Sequence, residues 1–262
     1  MQPSINQKPN MKKLFIVFLS ITILGGCQQS SPLAKEEPLP ANLPATETPK
    51  KHSAETITYE DETGTYIIKT EYPKLDYTEE INQEIKKKID TEIELFIEEA
   101  NSLELTAEEI AESGLGKSGL YLNYAVYLLT NDYISLSLES SIYNSGAAHP
   151  YSYTEVFNYD VKNNKELLLV DMFVPDTMFW EAISATVVPK IKDKLYKDEF
   201  ADENWINEGA GPDSKNFEAF NITENGFLFH FFPYQVAAYA AGPQEIEVKF
   251  EELGAILTPE WQ

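Results

Sequence analysis

Residues 120–143 read LYLNYAVYLLT, then ND, then YISLSLESSIY, and this stretch decides the fold. Leu120 to Thr130 and Tyr133 to Tyr143 are two runs of aromatic and branched residues. Such residues pack well on a pleated, half-buried surface. Asn131-Asp132 between them is a turn pair, so the stretch is expected to be a hairpin of two long strands. Downstream, Tyr151 to Tyr159 alternates again, and Asp160 to Lys165 reads as a polar turn.

Upstream, Ile81, Ile85, Ile89, Ile93, Phe96 and Ile97 recur every three or four residues. That spacing places them on one face of an amphipathic helix from about Thr78 to Ala100, with Thr78 as its cap. Before the helix, residues 56–72 alternate and suggest a hairpin around Asp61-Glu62-Thr63-Gly64 that Pro73 stops. The folded part is expected to begin near Glu55.

Downstream of residue 160 the theme repeats. Leu167 to Val170 is a short apolar run. Asp176 or Thr177 can cap a helix whose Trp180, Ile183, Val187, Ile191 and Leu195 share a face. Residues 198–215 are acidic and contain glycine, which reads as a long surface loop. Strands are expected at Phe217 to Ile222, Gly226 to Phe232 and Glu245 to Phe250. The sum is an α+β fold of two sub-domains, 55–160 and 161–253, each made of antiparallel strands packed with one long helix, followed by a tail at 254–262.

The amino end carries a different message. Met11-Lys12-Lys13 opens a basic region and offers a second start. Leu14 to Leu24 is apolar apart from Ser20 and Thr22, and Gly25, Gly26 and Cys27 follow. A basic region, a short apolar core and small residues form an export signal. The core is shorter than the roughly 20 apolar residues of a membrane span. Leu24-Gly25-Gly26-Cys27 resembles the lipobox of bacterial lipoproteins. It implies cleavage of residues 1–26, a lipid on Cys27 and an extracytoplasmic protein anchored to the cell envelope. Residues 27–54 hold Pro32, Pro38, Pro40, Pro44 and Pro49 among small and charged residues, the composition of a disordered tether.

Cys27 is the only cysteine, so the folded part holds no internal disulfide. The formal charge is −23; residues 1–26 carry only Lys8, Lys12 and Lys13, so their removal leaves −26. Such a charge repels phosphate and argues against nucleic acid, while favouring cationic partners or neutral ligands. It also serves solubility alone.

A search for chemistry finds little. Of the three histidines, His52 falls in the expected tether, His149 ends a loop and His230 alternates within a strand. No metal-binding spacing, serine-hydrolase elbow or cofactor motif occurs. Gly114-Leu115-Gly116-Lys117-Ser118 resembles a phosphate loop only faintly. No catalytic residue, metal ligand set or cofactor is assigned. Two segments stand out. Asn144 to Pro150 is a small-residue loop ending in His149-Pro150. Phe231 to Gly242 is rich in tyrosine and alanine. Tyrosines with small neighbours make rigid contact surfaces, so His149, Pro233, Tyr234 and Tyr239 are the candidate binding residues.

Gly146-Ala147-Ala148-His149-Pro150, Phe157-Asn158-Tyr159-Asp160, Leu167 to Phe173 and Phe232 to Gly242 together resemble one family's motifs in that family's order. The family is the paired extracytoplasmic domains of unknown function in the lysozyme-sensing anti-sigma factor RsiV and in the non-catalytic part of the peptidoglycan deacetylase PdaC. The resemblance covers nearly all of residues 55–253 and implies two α+β sub-domains. For function it implies a binding domain for a lysozyme-like muramidase or for peptidoglycan. The sequence departs from both relatives. It shows no sigma-binding segment or spanning helix, and no deacetylase catalytic domain with its Asp and His metal ligands. The alternative reading is a deacetylase-like enzyme acting on cell-wall glycan.

Overall fold

The computed structural model of the chain describes residues 52–197 and 200–262, which belong to one compact unit. The expected signal peptide at 1–26, the expected lipidation site Cys27 and most of the expected tether lie outside the described residues. Among those described, no helix is long and apolar enough to cross a membrane.

The first half is a six-stranded sheet under one long helix. Its elements are β1 (Ala54–Glu62), β2 (Tyr66–Leu75), α1 (Glu79–Ser102), the short α2 (Ala107–Ser113), β3 (Ser118–Leu129), β4 (Tyr133–Tyr143), β5 (Tyr151–Asp160) and the two-residue β6 (Lys165–Glu166). The strands lie side by side in sequence order. All neighbours are antiparallel except β2 and β3, which run parallel with α1 and α2 as their crossover. The antiparallel pairing expected from the sequence predominates; at this one pair the helix between the strands returns the chain to the same end of the sheet and makes them parallel.

Ile81, Ile85 and Ile89 of α1 are buried with Leu122, Leu136, Leu138 and Phe157 of the sheet, and Phe96 and Ala100 with Ile68, Leu120 and Ile142. Each such isoleucine or phenylalanine stabilises the fold by about 1.5–3 kcal/mol relative to exposure. Thr78 is the N-cap by position, yet its side chain makes no capping hydrogen bond. The capping box falls instead at α2, where the Thr106 hydroxyl and the Glu109 carboxylate satisfy each other's backbone N–H. Gly114 ends α2 at φ 71°, and Lys117 is held by the Glu62 carboxylate and the Thr63 carbonyl, both at 2.7 Å. The faint phosphate-loop resemblance is therefore a helix cap and an ion pair.

Two other expectations are corrected by the structure. Pro73 does not stop β2; it pairs with Thr56 of β1, and the β3 ladder on its other side already ends at Thr70. A proline is tolerated where its missing N–H has no partner to lose. His52 is not part of a tether. Its ring stacks on Tyr77 at 4.0 Å, with its nitrogens 3.0 Å from the Asp76 carbonyl and 2.9 Å from the Asn131 amide oxygen. A bulge at Tyr127 also interrupts the alternation of β3. It turns Leu128 towards the second half of the molecule while Leu129 faces the α1 side. One inserted residue exchanges the faces of all that follow it.

The second half contains α3 (Phe179–Lys197), α4 (Glu203–Gly209), β7 (Phe220–Ile222), β8 (Gly226–Phe231), β9 (Gln244–Lys249) and the single turn α5 (Phe250–Leu253). The three strands form an antiparallel sheet in sequence order. Ile183, Val187, Ile191 and Leu195 of α3 are buried in the core with Phe217, Phe227, Phe229 and Phe231. Thr177 does not serve as the expected cap of α3: its hydroxyl donates back to the Val174 carbonyl, and the helix begins at Phe179. The expected loop at 198–215 contains α4, whose N-cap Asp202 accepts from Trp205 N–H at 3.0 Å and whose Ile206 is fully buried. The expected tail at 254–262 is packed: Thr258 N–H bonds the Met172 carbonyl, Leu257 is buried and Trp261 lies 4.5 Å from the Tyr133 ring.

Candidate functional site

The two segments singled out in the sequence lie about ninety residues apart and meet in space. Asn144 to Pro150 links β4 to β5. Asn144 donates to the Glu99 carboxylate of α1 at 2.6 Å, and Ser145 N–H bonds the Ser118 hydroxyl at 3.0 Å. Gly146, at φ 88°, makes the tight bend that only glycine adopts easily. The loop thus holds His149 at its exit. The His149 ring stacks on Tyr239 at 4.3 Å. The Pro150 carbonyl accepts from His149 Nδ1 at 2.9 Å and from the Tyr239 hydroxyl at 3.1 Å, which fixes the ring's Nδ1–H form. Tyr234 completes the group, with its ring 5.7 Å from that of Tyr239.

Tyr234 is held in an unusual way. Its φ is 71°, a left-handed conformation that costs a bulky L-residue energy unless its surroundings impose it. Those surroundings are α4 and Gln235. Trp205 Nε1–H donates to the Tyr234 carbonyl at 2.7 Å. The Gln235 amide accepts from Phe232 N–H and donates to the Gly209 and Asn216 carbonyls. A Cβ on Gly209 would lie 1.8 Å from the Gln235 carbonyl oxygen, so α4 and this turn are in backbone contact. The turn is rigid, and it presents Tyr234 at 56% exposure. The fourth candidate, Pro233, sits on the other side of the turn, lining a cleft between the two sheets.

His230 has another role. It is buried, with Nε2 2.8 Å from Asn221 Oδ1 and Nδ1 3.2 Å from the Glu245 carboxylate. Asn221 donates in turn to the Ser135 hydroxyl and the Leu136 carbonyl of β4. Ser135 also accepts from Ile222 N–H and bonds Asn158, which donates to the Phe220 carbonyl. This buried network stitches the six-stranded sheet to the three-stranded one. Burial pushes the His230 pKa down, and the Glu245 carboxylate offsets part of that fall.

A larger crevice of about 680 Å3 runs between α1 and β5. Lys88 spans it, 2.7 Å from Glu155 and 3.9 Å from Glu166. Glu92, on the buried face of α1, accepts from the Tyr153 hydroxyl, and its Oε1 meets no donor. Burial, reinforced by Glu92, pushes the Tyr153 phenol far up; burial and Glu99 push Tyr151 up to about 12. Among the described residues, no three His, Cys, Asp or Glu side chains are arranged to hold a metal.

The sequence reading missed the supports of the cluster. Asp202-Glu203-Asn204-Trp205 is an N-cap followed by an aromatic residue, and it was legible as the start of α4. Gln235 lies within the segment singled out at Phe231 to Gly242, though not as one of its candidate residues, and nothing in the sequence marked Asn221.

Two stretches of the chain match known family models. Residues 59–152 match the family described as Deacetylase PdaC, and residues 170–251 match a protein family of unknown function, DUF3298. The chain carries both domains in this order. The PdaC-type domain supplies the Asn144–Pro150 loop, and the DUF3298 domain supplies Tyr234 and Tyr239. Over 209 residues the chain is 25% identical to the peptidoglycan-N-acetylmuramic acid deacetylase PdaC of Bacillus subtilis. That match covers 80% of this chain and 43% of the relative, so the chain spans less than half of the relative's length. Two crystal structures of DUF3298 proteins share the fold at 17% identity. One, from Pseudomonas aeruginosa, has a TM-score of 0.54 and covers 82% of this chain and 97% of its own. The other, from Bacteroides fragilis, has a TM-score of 0.52 and covers 79% and 93%.

Proposed function

We propose that this protein is an extracytoplasmic lipoprotein, anchored through Cys27, whose folded part binds a cationic lysozyme-like muramidase without catalysing a reaction. One observation carries the reading. Two loops from different domains are locked together so that His149, Tyr234 and Tyr239 form one exposed aromatic group, and Tyr234 is held there against its backbone preference. Exposed rigid tyrosines serve as anchors of protein interfaces. The charge of −23 supports a basic partner, since opposite net charges speed encounter. The cell-wall setting rests on the PdaC relationship, and the relative's deacetylase activity is not carried over to this chain.

The test is a binding titration of the purified protein against hen-type lysozyme at low and at physiological salt. Attraction between exposed charges fades once the Debye length falls to about 8 Å, whereas a packed interface persists. Binding is expected to survive physiological salt. Tyr234→Ala should weaken it about 30-fold, the loss of a hot spot worth about 2 kcal/mol. Tyr234→Gly should weaken it equally while holding or raising the melting temperature, because glycine accepts the positive φ without strain. Wild-type affinity in both variants would remove the cluster from the interface. Loss of all binding at physiological salt would turn the search to peptidoglycan.

A further inference from the structure

Beside the aromatic cluster, a second cleft of about 260 Å3 separates the outer face of the first sheet from the β8–β9 hairpin. Tyr121, Ser141 and Ser152 form its floor, and Pro233, Pro243 and Gln244 line its wall. It differs from the larger crevice along α1, where lysines and carboxylates already pair. The carboxylates lining it are Glu139 from β4 and Glu245 from β9, and no lysine or arginine lines it. Both carboxylates act on the same deeper groups. They add to the upward push that burial gives Tyr127, and they oppose the downward push that burial gives His230. Both acids line the one cleft.

The wall supplies an independent sign of a ligand. Gln244 is 5% exposed. Its amide nitrogen donates to the Ala241 and Gly242 carbonyls, at 2.8 and 3.3 Å, which orients the amide. Its Oε1 is buried and receives no hydrogen bond. Buried acceptors are nearly always satisfied, and Gln244 lines the cleft, so its orphan oxygen is the acceptor nearest to hand for a donor that enters there. Tyr121 meanwhile remains 44% exposed on the cleft floor. The cleft therefore offers the Glu139 carboxylate, the Glu245 carboxylate, one oxygen of which also lies 3.2 Å from His230 Nδ1, an unsatisfied amide oxygen and an aromatic ring. A guanidinium has the matching chemistry: several N–H donors in one plane, a permanent positive charge and a face that stacks on aromatic rings.

We propose that this cleft receives an arginine side chain of the basic partner, with the guanidinium between Glu139 and Glu245, one N–H on Gln244 Oε1 and its face against Tyr121. The identity of the partner rests on the function proposed above; the site's preference for a guanidinium does not. The cleft opens beside Pro233, one residue from Tyr234, so a protein seated on the aromatic cluster brings its surface to the mouth. The volume suits one side chain.

Nα-acetyl-arginine amide titrated into the full-length protein, followed by NMR, tests the site directly. Saturable shifts are expected at Tyr121 and Gln244. The neutral citrulline analogue should bind at least about tenfold more weakly, since a charged hydrogen bond is lost. Glu139→Gln and Glu245→Gln should each weaken arginine binding by about the same factor; both positions are solvent-exposed, and unchanged melting curves would show intact folds. The idea fails if citrulline binds equally, if no saturable shift occurs, or if glucosamine binds more tightly than the arginine amide. A protein that binds arginine amide but not lysozyme would keep the site and sink the lysozyme reading. Lysozyme binding that needs Tyr234 but ignores both glutamine variants would keep that reading and remove the cleft from the interface.

Discussion

Tyr234 and His230 lie four residues apart and show how differently two side chains of similar appearance are used. Tyr234 is strained, exposed and held from outside by Trp205; His230 is buried and satisfied from within. For His230 the physical consequence is a pH dependence. The Asn221 amide has committed both its N–H groups to β4, so its oxygen needs a donor, which His230 Nε2–H supplies in the neutral ring. Protonation of Nδ1 is favoured by Glu245 and opposed more strongly by burial, so the folded pKa lies below the ordinary value. In the unfolded chain the ring titrates near its usual value of about 6.5. Between the two values the unfolded state holds more protons, so stability is complete above about pH 6.5 and declines as pH falls below it. Thermal melts of the wild type from pH 7.5 down to 5.5 should therefore show a falling midpoint, and His230→Gln should flatten that part of the curve. An unchanged slope in the variant would assign the effect to other groups.

At the scale of elements, α3 carries an anomaly of its own. Pro189 lies inside the helix, where it removes an N–H and displaces the carbonyl of Ala185. Pro189 and Ala185 are both exposed, so water can satisfy the freed carbonyl, while Ile183, Val187, Ile191 and Leu195 keep the opposite face buried. Pro189→Ala is expected to raise stability, by up to about 3 kcal/mol, in denaturant unfolding. A loss of stability would show that Pro189 itself sets the packing of α3. This helix also shows what a sequence makes visible. Its apolar period was legible because one face is buried along its whole length, and α1 and the β3–β4 hairpin were legible for the same reason. The short α4 was not, since only Ile206 and Gly209 of its seven residues are buried and its acidic flanks resemble a loop. The parallel β2–β3 pair and the bulge at Tyr127 escaped because register depends on the partner strand, which local alternation does not identify. For the candidate site, the sequence pointed to His149, Pro233, Tyr234 and Tyr239 by composition and resemblance. It could not show that three of them meet, or that Pro233 faces a separate cleft.

For the molecule as a whole, the question is whether its two halves behave as one body. Their contact is not simply apolar. Ser135 of β4, fully buried, sits at the centre of the seam: its hydroxyl accepts from Ile222 N–H and Asn221 Nδ2–H and donates to Asn158 Oδ1. Asn221 leads on to His230, and Asn158 leads on to the Phe220 carbonyl. The bonds from Asn221 and Ile222 to Ser135 and Leu136, and from Asn158 to the Phe220 carbonyl, cross between the six-stranded and the three-stranded sheet. A serine here also lets the short β7 approach the sheet closely, which a larger residue would prevent. Ser135→Ala keeps the size but removes one acceptor that serves two donors, and it leaves the Asn158 oxygen without its donor. Each buried group left unpaired costs about 1–3 kcal/mol, and the losses share one site and do not add fully. A destabilisation of about 3 kcal/mol is therefore expected, a large fraction of the 5–15 kcal/mol typical of a domain. The shape of the transition is more informative than its midpoint. If the seam couples the halves, the wild type unfolds in one step, with tryptophan fluorescence from Trp180, Trp205 and Trp261 of the second half tracking far-UV circular dichroism from both. Ser135→Ala should then move both signals together or separate them. If the wild-type signals already part, with fluorescence and circular dichroism reporting different midpoints, the two domains unfold independently, and the aromatic cluster that joins His149 to Tyr239 becomes an adjustable contact between neighbours.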